Sequence, residues 1–116
     1  MIRRPICAAI VMMAFGSACF AGFSITSPTD DQAVQKGSEV TVTGTYDVGQ
    51  TFMVLAWFEE DEEGTLETAT LVNDGTWHTL LNAPDKFETT RIDANETNFF
   101  GTEIGSTFVT VELGNL

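Results

Sequence analysis

The chain is poor in basic residues: five Lys and Arg stand against 17 Asp and Glu, giving a formal net charge of −12. Phosphate backbones are bound by clustered Lys and Arg, so this balance argues against a nucleic-acid surface. Histidine occurs once, at His78, and cysteine twice, at Cys7 and Cys19. So small a supply removes most metal-ligand and nucleophile constellations. A sustained 3.6-residue apolar period is also missing beyond the N-terminal segment, which argues against an α/β enzyme. The remaining composition is globular, 43% hydrophobic and 19% charged over 116 residues, and sized for one domain.

The first 21 residues read as a cleavable secretory signal peptide. Arg3 and Arg4 precede the apolar run Ile6 to Phe15, which closes on Gly16, Ser17 and Ala18. The run is short for a membrane span of about 20 residues, and no second one follows it. Cleavage after Ala21 predicts a domain over residues 22–116 with no cysteine and therefore no disulfide. Cleavage after Ala18 would instead leave Cys19 first. Gly16-Ser17-Ala18-Cys19 partly resembles a bacterial lipobox, so membrane attachment is expected only if Cys19 is lipidated. Export to the periplasm or the exterior is the expectation in either case. All 17 acidic residues and three basic ones fall within residues 22–116, which puts the domain near −14.

Beyond Ala21 the pattern is that of short strands. Val40, Val42 and Tyr46 alternate with Thr41, Thr43 and Thr45, and Thr107, Val109, Val111 and Leu113 alternate with Phe108, Thr110 and Glu112. Strands are predicted near Phe23 to Ser27, Glu39 to Tyr46, Thr51 to Glu59, Thr65 to Val72, Thr76 to Leu81, Phe87 to Ala94 and Thr107 to Leu113. Turn-forming residues separate them, most sharply Asp74-Gly75, which should fold Leu71 to Val72 back antiparallel onto Thr76 to Leu81. About seven strands in a chain of this size predict an all-β antiparallel sandwich.

Ile25-Thr26-Ser27-Pro28, then Gly37 leading into Val40-Thr41-Val42-Thr43-Gly44-Thr45, then Asp74-Gly75-Thr76-Trp77, resembles the bacterial immunoglobulin-like domains of secreted and surface proteins. The resemblance spans most of residues 22–116. Phe87-Glu88-Thr89-Thr90-Arg91-Ile92 departs from it, standing where such domains carry an aromatic followed by alternating Val and Ala. It implies an immunoglobulin-like sandwich that serves adhesion, spacing or binding and is not an enzyme. Family members often occur in tandem; here a single copy fills the chain, which makes a spacer less natural.

Candidate sites are few. Thr51 to Glu59 is apolar on both faces, with Met53, Leu55 and Trp57 on one and Phe52, Val54, Ala56 and Phe58 on the other. If the first set fills the core, alternation turns the second outward. Phe52, Val54 and Phe58, with Phe108, then form an apolar patch for a protein partner. The competing arrangement covers that second face with a loop or with the segment between Asn95 and Ser106. Glu59-Glu60-Asp61-Glu62-Glu63 reads as a solvated acidic tip, since Ca²⁺ needs six to eight converging oxygens. Neither a metal nor another cofactor is expected. Trp77 reads as a core aromatic and His78 as its exposed neighbour.

The sequence therefore predicts an exported non-catalytic module for protein binding, adhesion or envelope assembly. A carbohydrate-binding sandwich using exposed aromatics and a small secreted protease inhibitor are the alternatives. A planar row of aromatics would favour sugars, a long projecting loop inhibition, and an apolar patch at a free edge assembly.

Overall fold

A computed structural model describes residues 22–116; the segment expected to be a signal peptide, with both cysteines, lies outside the described residues. The described residues form nine strands: β1 (Ser24–Ser27), β2 (Gln32–Gln35), β3 (Glu39–Thr45), β4 (Thr51–Phe58), β5 (Glu67–Thr68), β6 (Thr70–Val72), β7 (Thr76–Asn82), β8 (Glu88–Asn98) and β9 (Glu103–Gly114). A 3₁₀ turn at Glu59–Asp61 and a short helix α1 (Glu62–Thr65) follow β4. The strands make a four-stranded sheet in the order β1-β3-β7-β6 and a five-stranded sheet in the order β2-β9-β8-β4-β5. Every pairing is antiparallel except β2 with β9. No helix among the described residues is long and apolar enough to cross a membrane.

The core lies between the sheets and follows from alternation. In the five-stranded sheet Phe58, Ile92 and Val109 stand in one inward row across β4, β8 and β9. Facing them are Val42, Trp77 and Leu81 of β3 and β7. Trp77 is fully buried and its indole Nε1 donates to the Thr45 carbonyl at 3.1 Å, so a large apolar ring is desolvated without leaving its N–H unpaired. Gly44 sits opposite Trp77 on β3 because nothing larger fits: a Cβ there would overlap the indole and the Ser24 carbonyl.

The hairpin between β6 and β7 forms where Asp74-Gly75 predicted it, pairing Leu71 with Trp77 and Val72 with Thr76. Its loop has three residues and ends on Gly75 at φ +89°, with the Gly75 N–H donating to Val72 at 3.1 Å. Asp74 Oδ1 accepts from both the N–H and the hydroxyl of Thr76, which holds that carboxyl below its ordinary value.

Four expectations are corrected. The single strand over Thr65 to Val72 is two strands in different sheets: β5 pairs with β4, the chain crosses at buried Ala69, and β6 pairs with β7. Thr65 caps the preceding turn, its Oγ1 accepting from the Phe58 N–H at 2.8 Å and donating to the Asp61 carbonyl at 2.7 Å. β2, absent from the sequence reading, has one buried residue, Val34, and is held by parallel pairing with residues far along the chain. The segment between Asn95 and Ser106 is no covering loop; it extends β8 and β9 into a long hairpin. Finally, β4 turns Val54, Ala56 and Phe58 into the core and leaves Met53, Leu55 and Trp57 half-buried on the outer face. With both faces apolar, the neighbour decides: the only apolar residues of β8, Ile92 and Ala94, share one face, Arg91, Asp93 and Asn95 take the other, and Ile92 and Ala94 pair with Phe58 and Ala56.

Candidate functional site

The four residues of the predicted patch separate into two places and the core. Val54 and Phe58 are fully buried and can meet no partner. Phe52 remains outside, 58% exposed, because the ladder slips between Thr51 and Met53; the extra residue lets Thr51 and Val54 both face inward with Phe52 between them. Phe108 is also exposed, on the outer face of β9. Trp57, level with Phe108 across Asp93, is five residues from Phe52, so the two phenylalanines stand about 16 Å apart along the strands.

Phe52 belongs to a cluster at the β8–β9 turn. Its ring meets that of Phe99 at 5.5 Å between centroids, while Phe100 is 92% exposed and Ile104 also lies open to solvent. Phe99, Phe100 and Ile104, with Gly49, Gln50 and Asn98, line a shallow cavity of about 250 Å³. The turn is ordered by its own side chain: Asn98 Oδ1 accepts from the N–H groups of Phe100 at 2.9 Å and Thr102 at 3.0 Å, and Gly101 adopts φ +81°. Two aromatics are thereby held outward on a fixed scaffold. Phe99-Phe100-Gly101 was the available signal: two adjacent rings followed by a turn glycine cannot both enter a core by alternation.

Behind this turn a carboxylate is buried. Glu96 faces inward on β8, with Oε1 accepting from the Thr51 hydroxyl at 2.8 Å. Burial pushes its carboxyl above the ordinary value; the Thr51 bond opposes this and the charge of Asp47 adds to it. Gly105 makes room for it, since a Cβ there would lie 2.9 Å from Glu96 Oε2.

The outer face of the five-stranded sheet carries a second, polar-walled hollow of about 580 Å³, with Trp57 and Phe108 on its sides and Asp93, Asn95 and Glu103 among its lining. Arg91 lies 4.5 Å from the Phe108 ring centroid and pairs with Glu59 at 2.8 Å and Asp93 at 3.2 Å. Burial raises the Asp93 carboxyl, against the pull of Arg91. Asn95 Oδ1 is shielded there without a hydrogen-bond partner.

The remaining candidates sit apart. Glu59 to Glu63 occupy the opposite end of β4 from Phe52, where Lys86 bonds Glu60 at 2.6 Å. Among the described residues no three His, Cys, Asp or Glu converge on a point that would hold a metal ion. His78 is exposed on β7 beside buried Trp77.

No protein-family model matches the chain, and neither does any curated protein. Solved structures do. The chain is similar to fibronectin(III)-like modules of Clostridium thermocellum CbhA, at 17% identity over 81% of this chain and 46% of that one, with a TM-score of 0.59. It is similar also to an engineered protein, at 20% identity over 85% of this chain and 21% of that one, with a TM-score of 0.57. It spans about half the length of the first and about a fifth of the second. The fold is an immunoglobulin-like β-sandwich, as the sequence resemblance implied, and at these identities the likeness stops at the fold.

Proposed function

We propose that the chain is an exported, non-catalytic immunoglobulin-like module that binds a protein partner with the end of the sandwich carrying Phe52, Phe99, Phe100 and Ile104. The observation that carries this reading is Phe100, 92% exposed beside Phe99 on a turn that Asn98 fixes. Exposing aromatic rings on so acidic a domain costs solvation, and ordering them in advance lowers the entropy lost on binding. Aromatic anchors presented this way are the residue type that dominates protein interfaces. The charged and apolar segments of residues 1–21 support export, as in the sequence reading.

A sugar-binding face has less support. The exposed aromatics do not form a planar row, and Arg91 already covers the Phe108 ring. The loop-presenting inhibitor shares the projecting hairpin and differs only in the class of partner.

Phe99→Ser with Phe100→Ser should leave the melting temperature unchanged and weaken association at least tenfold, as read by sedimentation or by retention of an envelope or extracellular partner. Undiminished association in that variant would remove the reading.

A further inference from the structure

β9 is twelve residues long, and its two halves are treated differently. β2 pairs with Val111 to Gly114, and the residues just before β2 cover Thr110, whose N–H donates to Asp30 Oδ1 at 2.9 Å and whose carbonyl accepts from the Asp31 N–H at 2.7 Å. From Glu103 to Val109, no strand among the described residues pairs with that side; β1, which comes within 8 Å of β9, is hydrogen-bonded into the other sheet. The phase of the exposed groups follows from Thr110. Backbone groups of a strand alternate sides, so Phe108 and Ser106 point their N–H and C=O to the open edge, whereas Val109 and Thr107 point theirs to β8.

Open edges are normally blunted by charge, proline or brevity. The other edge of this same sheet is: β5 has two residues and follows the acidic turn. Ile104-Gly105-Ser106-Thr107-Phe108-Val109 has no charge and no proline, and its Ile, Thr, Phe and Val favour strands. The hollow between Trp57 and Phe108 adjoins this edge. It offers acceptors, Asp93, Glu103 and the unpartnered Asn95 Oδ1, and small Ser106 stands between them and the rim.

We propose that the open length of β9, Glu103–Val109, accepts an extended strand of a protein partner whose outward side chains include lysine or arginine. This rests on the protein-binding reading above and adds the partner's conformation and charge. An added strand gains main-chain hydrogen bonds from Ser106 and Phe108 and sends alternate side chains over Ser106 into the hollow. A cation there meets two carboxylates and the amide oxygen; Arg91 only partly offsets the desolvation of Asp93, so a second cation adds to its effect. Charge also selects against a second copy. The three basic residues of the described chain already bond carboxylates, Lys36 with Asp85, Lys86 with Glu60 and Arg91 with Glu59 and Asp93. Two such domains would each bring a net charge near −14 to the contact.

The test uses two eight-residue probes, one alternating Val with Lys and one alternating Val with Glu, added to the purified chain while amide exchange is followed by NMR. The Val–Lys peptide should slow exchange at least tenfold at Ser106 and Phe108, leave Thr107 and Val109 as they were, and bind more weakly as salt rises. Ser106→Pro removes the outward N–H and leaves the β8 ladder intact, so it should weaken that binding at least tenfold. Phe100→Ser should not, which separates a failure here from a failure of the aromatic-end reading. If Ser106→Pro proves unstable, the exchange pattern of the unaltered chain decides. Equal binding of the Val–Glu peptide, or protection elsewhere than Ser106 and Phe108, overturns the proposal. So does a dimer that Ser106→Pro dissociates, since a second copy would then be the occupant.

Discussion

At one end of the sandwich three phenylalanines and Ile104 are held out to solvent around the β8–β9 turn; at the other, five carboxylates crowd the turn after β4. β4 joins the two, beginning at Thr51 and ending at Phe58 immediately before Glu59. The acidic end is what a soluble surface looks like: its charges are hydrated, and its ion pairs are exposed and contribute little. The aromatic end has no such excuse. Its rings are unfavourable in water and its turn is ordered by Asn98, and in the proposed function a partner that covers them offsets that cost.

β4 itself carries the contrast between the two ends, since it places the same residue type at both, Phe52 near one and Phe58 at the other. Phe58→Ala, at the core, should cost about 3 to 5 kcal/mol in urea unfolding, whereas Phe52→Ala, which loses one contact with Phe99, should cost less than about 1. Similar losses would mean that the aromatic end is structural.

Asn98→Ala is the next smaller effect, about 1 kcal/mol, because two backbone N–H groups lose their acceptor at an exposed turn. Faster amide exchange at Phe100 and Thr102 should accompany it. Unchanged exchange would show that Gly101 alone sets the turn.

Two carboxyls give the domain an unusual response to pH. Asp93 and Glu96 are both raised by burial above ordinary values of 3.8 and 4.5. A carboxyl raised in the folded state contributes stability that is complete below its unfolded value and is lost as pH rises through the folded one. The melting temperature should therefore rise as pH falls from neutrality toward those ordinary values, and Glu96→Gln should flatten that rise. Asp74, lowered, acts oppositely, losing its contribution as pH falls through its folded value. A melting temperature that falls steadily over that interval would contradict the burial of Glu96 behind the aromatic turn.

The smallest effects belong to the acidic end. Glu60→Gln and Glu62→Gln should each change stability by less than about 0.5 kcal/mol, and melts with Ca²⁺ or a chelator should coincide. A marked rise with Ca²⁺ would make that end a metal site.

Much of this architecture was legible because alternation writes it locally. Val40, Val42 and Thr41 gave β3 its faces, and Asp74-Gly75 located a hairpin whose ladder formed as expected. What escaped depends on partners distant in sequence. β2 is two glutamines around Ala33 and Val34, held by a strand about 80 residues later. The slip between Thr51 and Met53 cannot be read from β4, and it decides that Phe52 leaves the core and Val54 enters it. The extension of β8 past Ala94 was hidden because its inward position is Glu96, a polar residue where an apolar one marks a strand. The candidate site was half visible for the same reason: Phe52 and Phe108 were placed outside, where they are exposed, while Val54 and Phe58 were assigned to the wrong face.

In the proposed function the aromatic end, and not the acidic one, meets the partner. The direct measurement compares retention of envelope or extracellular protein by three forms of the chain: unaltered, Phe99→Ser with Phe100→Ser, and Glu60→Gln with Glu62→Gln. The account predicts that the serine pair loses a partner that the unaltered chain and the glutamine pair both keep. Loss by the glutamine pair with retention by the serine pair would contradict it.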